Sequence, residues 1–163
     1  MNSFKIICFP LWIIFLLFNS LWIVSCDTPI DFGREEQAIR KVWQNNINSI
    51  CTGNWDEFAA VWDHSAEVSV IHPHSGEWLK GWKEVSYKYE QVLNSGMRCI
   101  LVRNDLTLHI SSSGDIAWGT VDMIVQFNDS NKTTNHPWQT VVFEKIKGEW
   151  KLVYLLSTLP KLE

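Results

Sequence analysis

The sequence has no Gly-rich phosphate loop, no nucleophile motif and no internal repeat. These absences exclude the common nucleotide-binding signatures, the familiar covalent hydrolases, and the solenoids and propellers. Histidine is sparse: His64, His72, His74, His109 and His136 are the only five, with no helix-spaced pair among them. A metal centre needs three or four ligands in suitable geometry, so no metal site is expected. Positive charge is also short. Asp27 to Glu163 carries all 18 acidic residues but only 13 of the 14 basic ones, a net charge near −5. That balance makes nucleic acid a poor partner. The same stretch has two cysteines, Cys51 and Cys99. In an oxidising compartment they could pair, but their separation in sequence gives no sign that they meet in space, and two buried free thiols are the expectation.

What is present begins with an apolar run, Ile6 to Val24, with Lys5 before it and no acidic residue until Asp27. About 20 apolar residues span a bilayer, and a basic start, an apolar centre and a small residue near the end also make a signal peptide. Ile23-Val24-Ser25-Cys26 resembles a bacterial lipobox, in which Cys26 would be lipidated and become the first residue of the mature chain. A cut near Cys26 by an ordinary signal peptidase and an uncleaved signal anchor remain the alternatives. Each sets residues 1–26 apart from a single domain over 33–158. Each also makes that domain extracytoplasmic, secreted or membrane-anchored, touching a membrane only through its N-terminal segment.

The domain opens with helices. Ile39, Val42, Trp43, Ile47 and Ile50 form one stripe at spacings of three and four, predicting a helix over Arg34 to Ile50 that Gly53 closes. Asn54 and Glu57 form a capping box for a shorter helix burying Phe58, Val61 and Trp62. Val68 to His72 alternates as a strand, which Pro73 ends because it lacks an N–H. A short strand breaks at Gly81, and Trp82 to Leu93 is a third helix. From Met97 the period becomes two: Met97 to Ser111, Ile116 to Phe127, Trp138 to Lys147 and Trp150 to Ser157 read as an antiparallel meander. Strands this long must coil, and their concave face needs the three helices as cover. The fold class is therefore α+β: an open cone, a strongly bent antiparallel sheet wrapped around N-terminal helices, with a pocket between them.

Five short stretches in this order carry a resemblance. They are Gly53-Asn54-Trp55-Asp56, Val70-Ile71-His72-Pro73, Leu79-Lys80-Gly81-Trp82, Gly114-Asp115-Ile116-Ala117-Trp118 and Gly148-Glu149-Trp150-Lys151-Leu152-Val153. From Glu35 to Ser157 the chain resembles the SnoaL-like branch of the NTF2-like (ketosteroid-isomerase-like, cystatin-like) superfamily. That fold hosts isomerases, cyclases, dehydratases, epoxide hydrolases and non-catalytic assembly domains, so the resemblance implies architecture more than activity. In ketosteroid isomerases the general-base Asp precedes a Pro; here His72 holds that place, and histidine can act as a base near neutral pH. Their oxyanion-hole Tyr and protonated Asp would fall near Asn46 and Thr140. Where many SnoaL-like relatives end the last strand in a His cluster, this chain has Tyr154-Leu155-Leu156-Ser157.

The expected ligand pocket draws on Trp43, Asn46, His74, Trp82, Trp118 and Thr140, with His72 as the catalytic candidate. His72 and His74 are equally readable as turn histidines at a pocket mouth, and most of the domain's tryptophans as core. Asp122 shares the parity of Trp118; the alternative register, with Ala117, Val121, Met123 and Phe127 inward, makes the better core and leaves Asp122 in water. Asn128-Asp129-Ser130 and Asn131-Lys132-Thr133 match the N-glycosylation pattern in a polar loop, relevant only to a eukaryotic source. The functional expectation is an extracytoplasmic domain binding a small apolar or aromatic molecule, without a cofactor. A cofactor-independent isomerase, lyase or hydrolase using His72 is the alternative, and a dimeric assembly domain without a ligand is the third. The sheet's outer face is the expected homodimer surface.

Overall fold

The computed structural model describes residues 29–72, 76–128 and 134–158. The apolar run, Cys26, His74 and Asn131 lie outside them, and no helix among the described residues is long and apolar enough to cross a membrane. Asp31 starts helix α1 (Phe32–Thr52), its side chain accepting the Arg34 N–H at 3.1 Å. Gly53 ends it at φ 71°. Glycine suits that left-handed conformation, which L side chains rarely adopt. Asn54 then caps α2 (Trp55–Val61) by accepting the Glu57 N–H at 3.2 Å.

The remaining order is β1 (Ser69–Ile71), β2 (Trp78–Lys80), α3 (Gly81–Asn94), β3 (Cys99–Ile110), β4 (Ile116–Phe127), β5 (Thr134–Asn135), β6 (Trp138–Ile146) and β7 (Glu149–Thr158). The sheet runs β2-β1-β7-β6-β4-β3, with β5 added beside β4. Strands β3, β4, β6 and β7 form the antiparallel meander that period two predicts. Strand β1 joins β7 in parallel, because the chain enters the sheet from the helices and its last strand returns to that entry point. The two-residue β5 lies in what reads from sequence as a polar loop, too short to leave a period of its own.

The sheet is curled and unclosed. Register shifts at Leu101/Arg103 and at Val142/Phe143 mark where extra residues bend the long strands. Gly119 lets β3 and β4 approach closely at the Leu108–Gly119 pair, since a Cβ there would lie 2.5 Å from the Thr107 carbonyl oxygen. The concave face and the helices bury Ile39, Trp43, Phe58, Val70, Val85, Ala117, Val141, Phe143 and Leu152 almost completely. Glu35, in the first turn of α1, ties that helix to the sheet by accepting from Lys145 Nζ (2.7 Å) and Trp150 Nε1 (2.6 Å).

Cys51 and Cys99 are joined in a disulfide, which corrects the expectation of two free thiols. Cys51 lies in the last turn of α1 and Cys99 is the first residue of β3, so wrapping the sheet around α1 brings their Cα atoms to 4.4 Å across a separation of 48 residues. Asp31–Glu163 is thus one compact unit with its own core and its own covalent staple, which is what independent folding requires.

Candidate functional site

Between the helices and the concave face lies a cavity of about 420 Å³. Helix periodicity supplies one wall: Ile47, Ile50 and Cys51 from α1, and Lys88, Tyr89 and Val92 from α3. Strand parity supplies the opposite one: Met123, Val125 and Phe127 from β4, and Leu155 from β7. Met97 and Cys99 close the side nearest the disulfide. Tyr89 is buried against Phe58, with ring centroids 4.6 Å apart, and burial pushes its hydroxyl pKa up to about 12, so it stays neutral. Lys88 is the one charged residue on the wall among the described residues, and its ammonium is ion-paired with Glu77 at 2.9 Å.

One end of the cavity is polar. Gln139 on β6 stands opposite Ser157 on β7, and Gln139 Nε2 donates to Ser157 Oγ at 3.2 Å. His72 continues the row, one residue beyond the Ile71–Leu156 pair that joins β1 to β7. Its backbone is fixed at both ends: the N–H donates to the Glu77 carbonyl (2.9 Å) and the carbonyl accepts from Gly76 N–H (3.1 Å). Asn135 and Pro137 complete this end. Gln139 Oε1 is buried there and has no hydrogen-bond partner. The arrangement offers an apolar chamber with a hydrogen-bonding end and a histidine on its wall.

Of the residues singled out from sequence, His72 lies on the cavity wall and the other described ones do not. Trp43 points past the cavity toward β3, where its Nε1 donates to Asn104 Oδ1 at 2.8 Å. Asn46 is fully buried toward α2, with Oδ1 accepting from Trp62 Nε1 at 2.9 Å, and it does not line this chamber. Trp82 belongs to an aromatic stack in the helix layer, between Trp55 (6.0 Å) and His64 (4.1 Å). Trp118 and Thr140 face the convex side, Trp118 beside His109 at 5.8 Å. Asp122 is on that side too, ion-paired with Arg103, as the favoured register required. Sequence reasoning passed over Gln139 and Ser157. Their signal was parity: Gln139 is two residues before buried Val141, and Ser157 two after buried Leu155.

The fold recurs in solved structures. A candidate dehydratase of the NTF2-like family from Streptomyces avermitilis is 18% identical, with a TM-score of 0.66, covering 77% of this chain and 96% of that one. An NTF2-like superfamily protein from Salmonella enterica is 19% identical, with a TM-score of 0.67 and coverage of 80% and 94%. The association domain of CaMKII from C. elegans is 18% identical, with a TM-score of 0.59 and coverage of 77% and 96%. At such identities the likeness establishes the fold alone. No curated protein matches the chain. The family profile of the SnoaL-like domain matches residues 39–160, most of the folded part, and on that match the chain belongs to the SnoaL-like domain family.

Proposed function

We propose that this protein is an extracytoplasmic SnoaL-like domain that holds a small apolar or aromatic molecule in the cavity of its cone. The observation that carries this reading is the chamber of about 420 Å³ with apolar walls and a polar end, a size and character suited to a small-molecule site. The disulfide supports the compartment, since disulfides persist outside the reducing cytoplasm, and so does the signal-like N terminus. A thermal-shift screen of hydrophobic molecules against Asp27–Glu163 tests it. A ligand at 100 times its dissociation constant stabilises the folded state by about 2.7 kcal/mol, and a panel without any shift sinks the reading. For the compartment, fractionation of cells expressing the full chain and a Cys26→Ser variant distinguishes a lipid anchor from a released domain. The protein stays with the cytoplasmic fraction if the proposal is wrong.

A second reading, cofactor-independent proton-transfer chemistry, is favoured by one observation: His72 stands on the cavity wall where the resemblance puts the base. The neighbouring candidate dehydratase makes that class worth testing, with any hit incubated with the parent and with His72→Ala. Turnover lost in the variant means catalysis; equal binding without turnover means a carrier or sensor. The likeness to an association domain supports self-assembly, and the exposed aromatic side chains of the convex face, Trp118 and Trp138, are the surface we assign to a homodimer. Light scattering of Trp138→Glu against the parent decides whether that face pairs.

A further inference from the structure

The polar end of the cavity narrows the ligand. Taking the cavity-binding reading as its basis, we infer that the occupant is an uncharged molecule with an apolar body and one terminal group, such as a hydroxyl, that both donates and accepts a hydrogen bond at Gln139 and Ser157. Gln139 gives one amide N–H to Ser157 Oγ at 3.2 Å, and its Oε1 is buried beside the cavity without a partner. A buried acceptor without a donor costs about 1–3 kcal/mol, so a donor brought to Oε1 is favoured. The Ser157 hydroxyl, already accepting from Gln139, has its own hydrogen to give. A ligand hydroxyl meets both needs at once, donating to Gln139 Oε1 and accepting from Ser157. A plain hydrocarbon satisfies neither.

Charge is excluded by the same wall. Lys88 is its one charged side chain among the described residues, and Glu77 already neutralises it at 2.9 Å. A carboxylate would enter the chamber with no counter-charge besides an imidazolium at His72, giving up its hydration with little return. The row also explains why polar residues interrupt the buried parity of β6 and β7 at neighbouring positions: Gln139 and Ser157 are a registered pair rather than two separate core defects.

Three fluorescent probes of one shape test this on disulfide-intact Asp27–Glu163: 1-hydroxypyrene, pyrene and pyrene-1-carboxylate. The hydroxyl probe is expected to bind about tenfold tighter than either of the others, the scale of one to two neutral hydrogen bonds. Gln139→Leu should bring the hydroxyl probe down to the affinity of pyrene and leave pyrene unchanged or tighter. Ser157→Ala, which frees the Gln139 amide, should weaken the hydroxyl probe while pyrene is unaffected, and it serves if the first variant does not fold. Pyrene or the carboxylate binding as tightly as the hydroxyl probe overturns the inference while leaving the cavity reading intact, as does a hydroxyl preference that survives both variants. Failure of all three probes to bind overturns the cavity reading and this inference with it.

Discussion

The two faces of strand β4 carry side chains of different chemistry. Ala117, Val121, Met123 and Val125 are buried on the concave side, whereas Ile116, Trp118 and Asp122 stand on the convex side. The concave set is aliphatic and thioether, and the convex set mixes an aliphatic side chain, an indole and a carboxylate. The site sits on the face without the tryptophans. Aromatic abundance is therefore a poor guide to this cavity, while parity is a good one: an indole in register with Thr120 and Asp122 faces out however apolar it is. The convex face keeps its indoles at a surface, where a second copy can use them.

The sharpest way to break this contrast is to truncate one large residue on each face. Phe143, fully buried on the concave side of β6, should cost about 3–5 kcal/mol on substitution by Ala, read as a shift in urea midpoint. Trp138, 61% exposed on the same strand, should cost well under 1 kcal/mol in the monomer. A Trp138→Ala loss comparable to that of Phe143 would mean that the convex face is covered in solution, and would be concentration-dependent if a second copy covers it.

Reduction of the Cys51–Cys99 disulfide comes next. Closing a loop of 48 residues is worth about 4 kcal/mol in the chain-entropy account, and measured values often fall below that. Melting with and without reductant should show the loss, and Cys51→Ala/Cys99→Ala should melt like the reduced parent and ignore reductant. Because both cysteines line the cavity, probe affinity should fall along with stability. Unchanged affinity in a folded reduced protein would separate the staple from the site.

A smaller effect is expected where α1 meets the concave face. Lys145, then Trp150, hold the Glu35 carboxyl below its ordinary value of 4.5 by hydrogen bonding to its ionised form. A depressed folded-state pKa contributes stability that is present above 4.5 and is lost as pH falls through the folded value. Glu35→Gln should cost about 1–2 kcal/mol at neutral pH, the scale of hydrogen bonds to a charged group, and flatten the acid limb of the stability curve below pH 4.5. An acid limb of the same steepness in both proteins would assign the pH dependence to other carboxylates.

Much of the architecture was legible because it is local. The Ile39-Trp43-Ile47 stripe, the Asn54–Glu57 cap and the alternation of β4 each declare an element within a few residues. The disulfide was not legible, because Cys51 and Cys99 meet only when the sheet closes over α1, and nothing in a 48-residue interval encodes that closure. The site was half legible. His72 was marked by the Pro73 that follows it, but its companions come from β6 and β7 and are aligned by hairpin register and by a parallel pairing across the chain. Asn46 and Trp82 were misplaced for one reason: a helix of this fold has two buried flanks, one toward the cavity and one toward its neighbouring helix, and periodicity does not tell them apart.

The smallest predicted effect is also the most discriminating about the convex face. Asp122 and Arg103 form an ion pair with both side chains well exposed, and such pairs are screened by salt. If that face is free in solution, Asp122→Asn should leave the urea midpoint of the protein unchanged at physiological salt, with only a slight loss at low salt. If a second copy packs over it, the pair is desolvated in the dimer, and removing Asp122 leaves the guanidinium with only Asp105, 3.6 Å away, as its counter-charge. The same substitution should then weaken self-association, visible as a lower weight-average mass in sedimentation at unchanged monomer stability. A neutral result in both measurements would leave the indoles without a partner at this end of β4, and would confine the dimer surface to the Trp118–His109 end of the sheet.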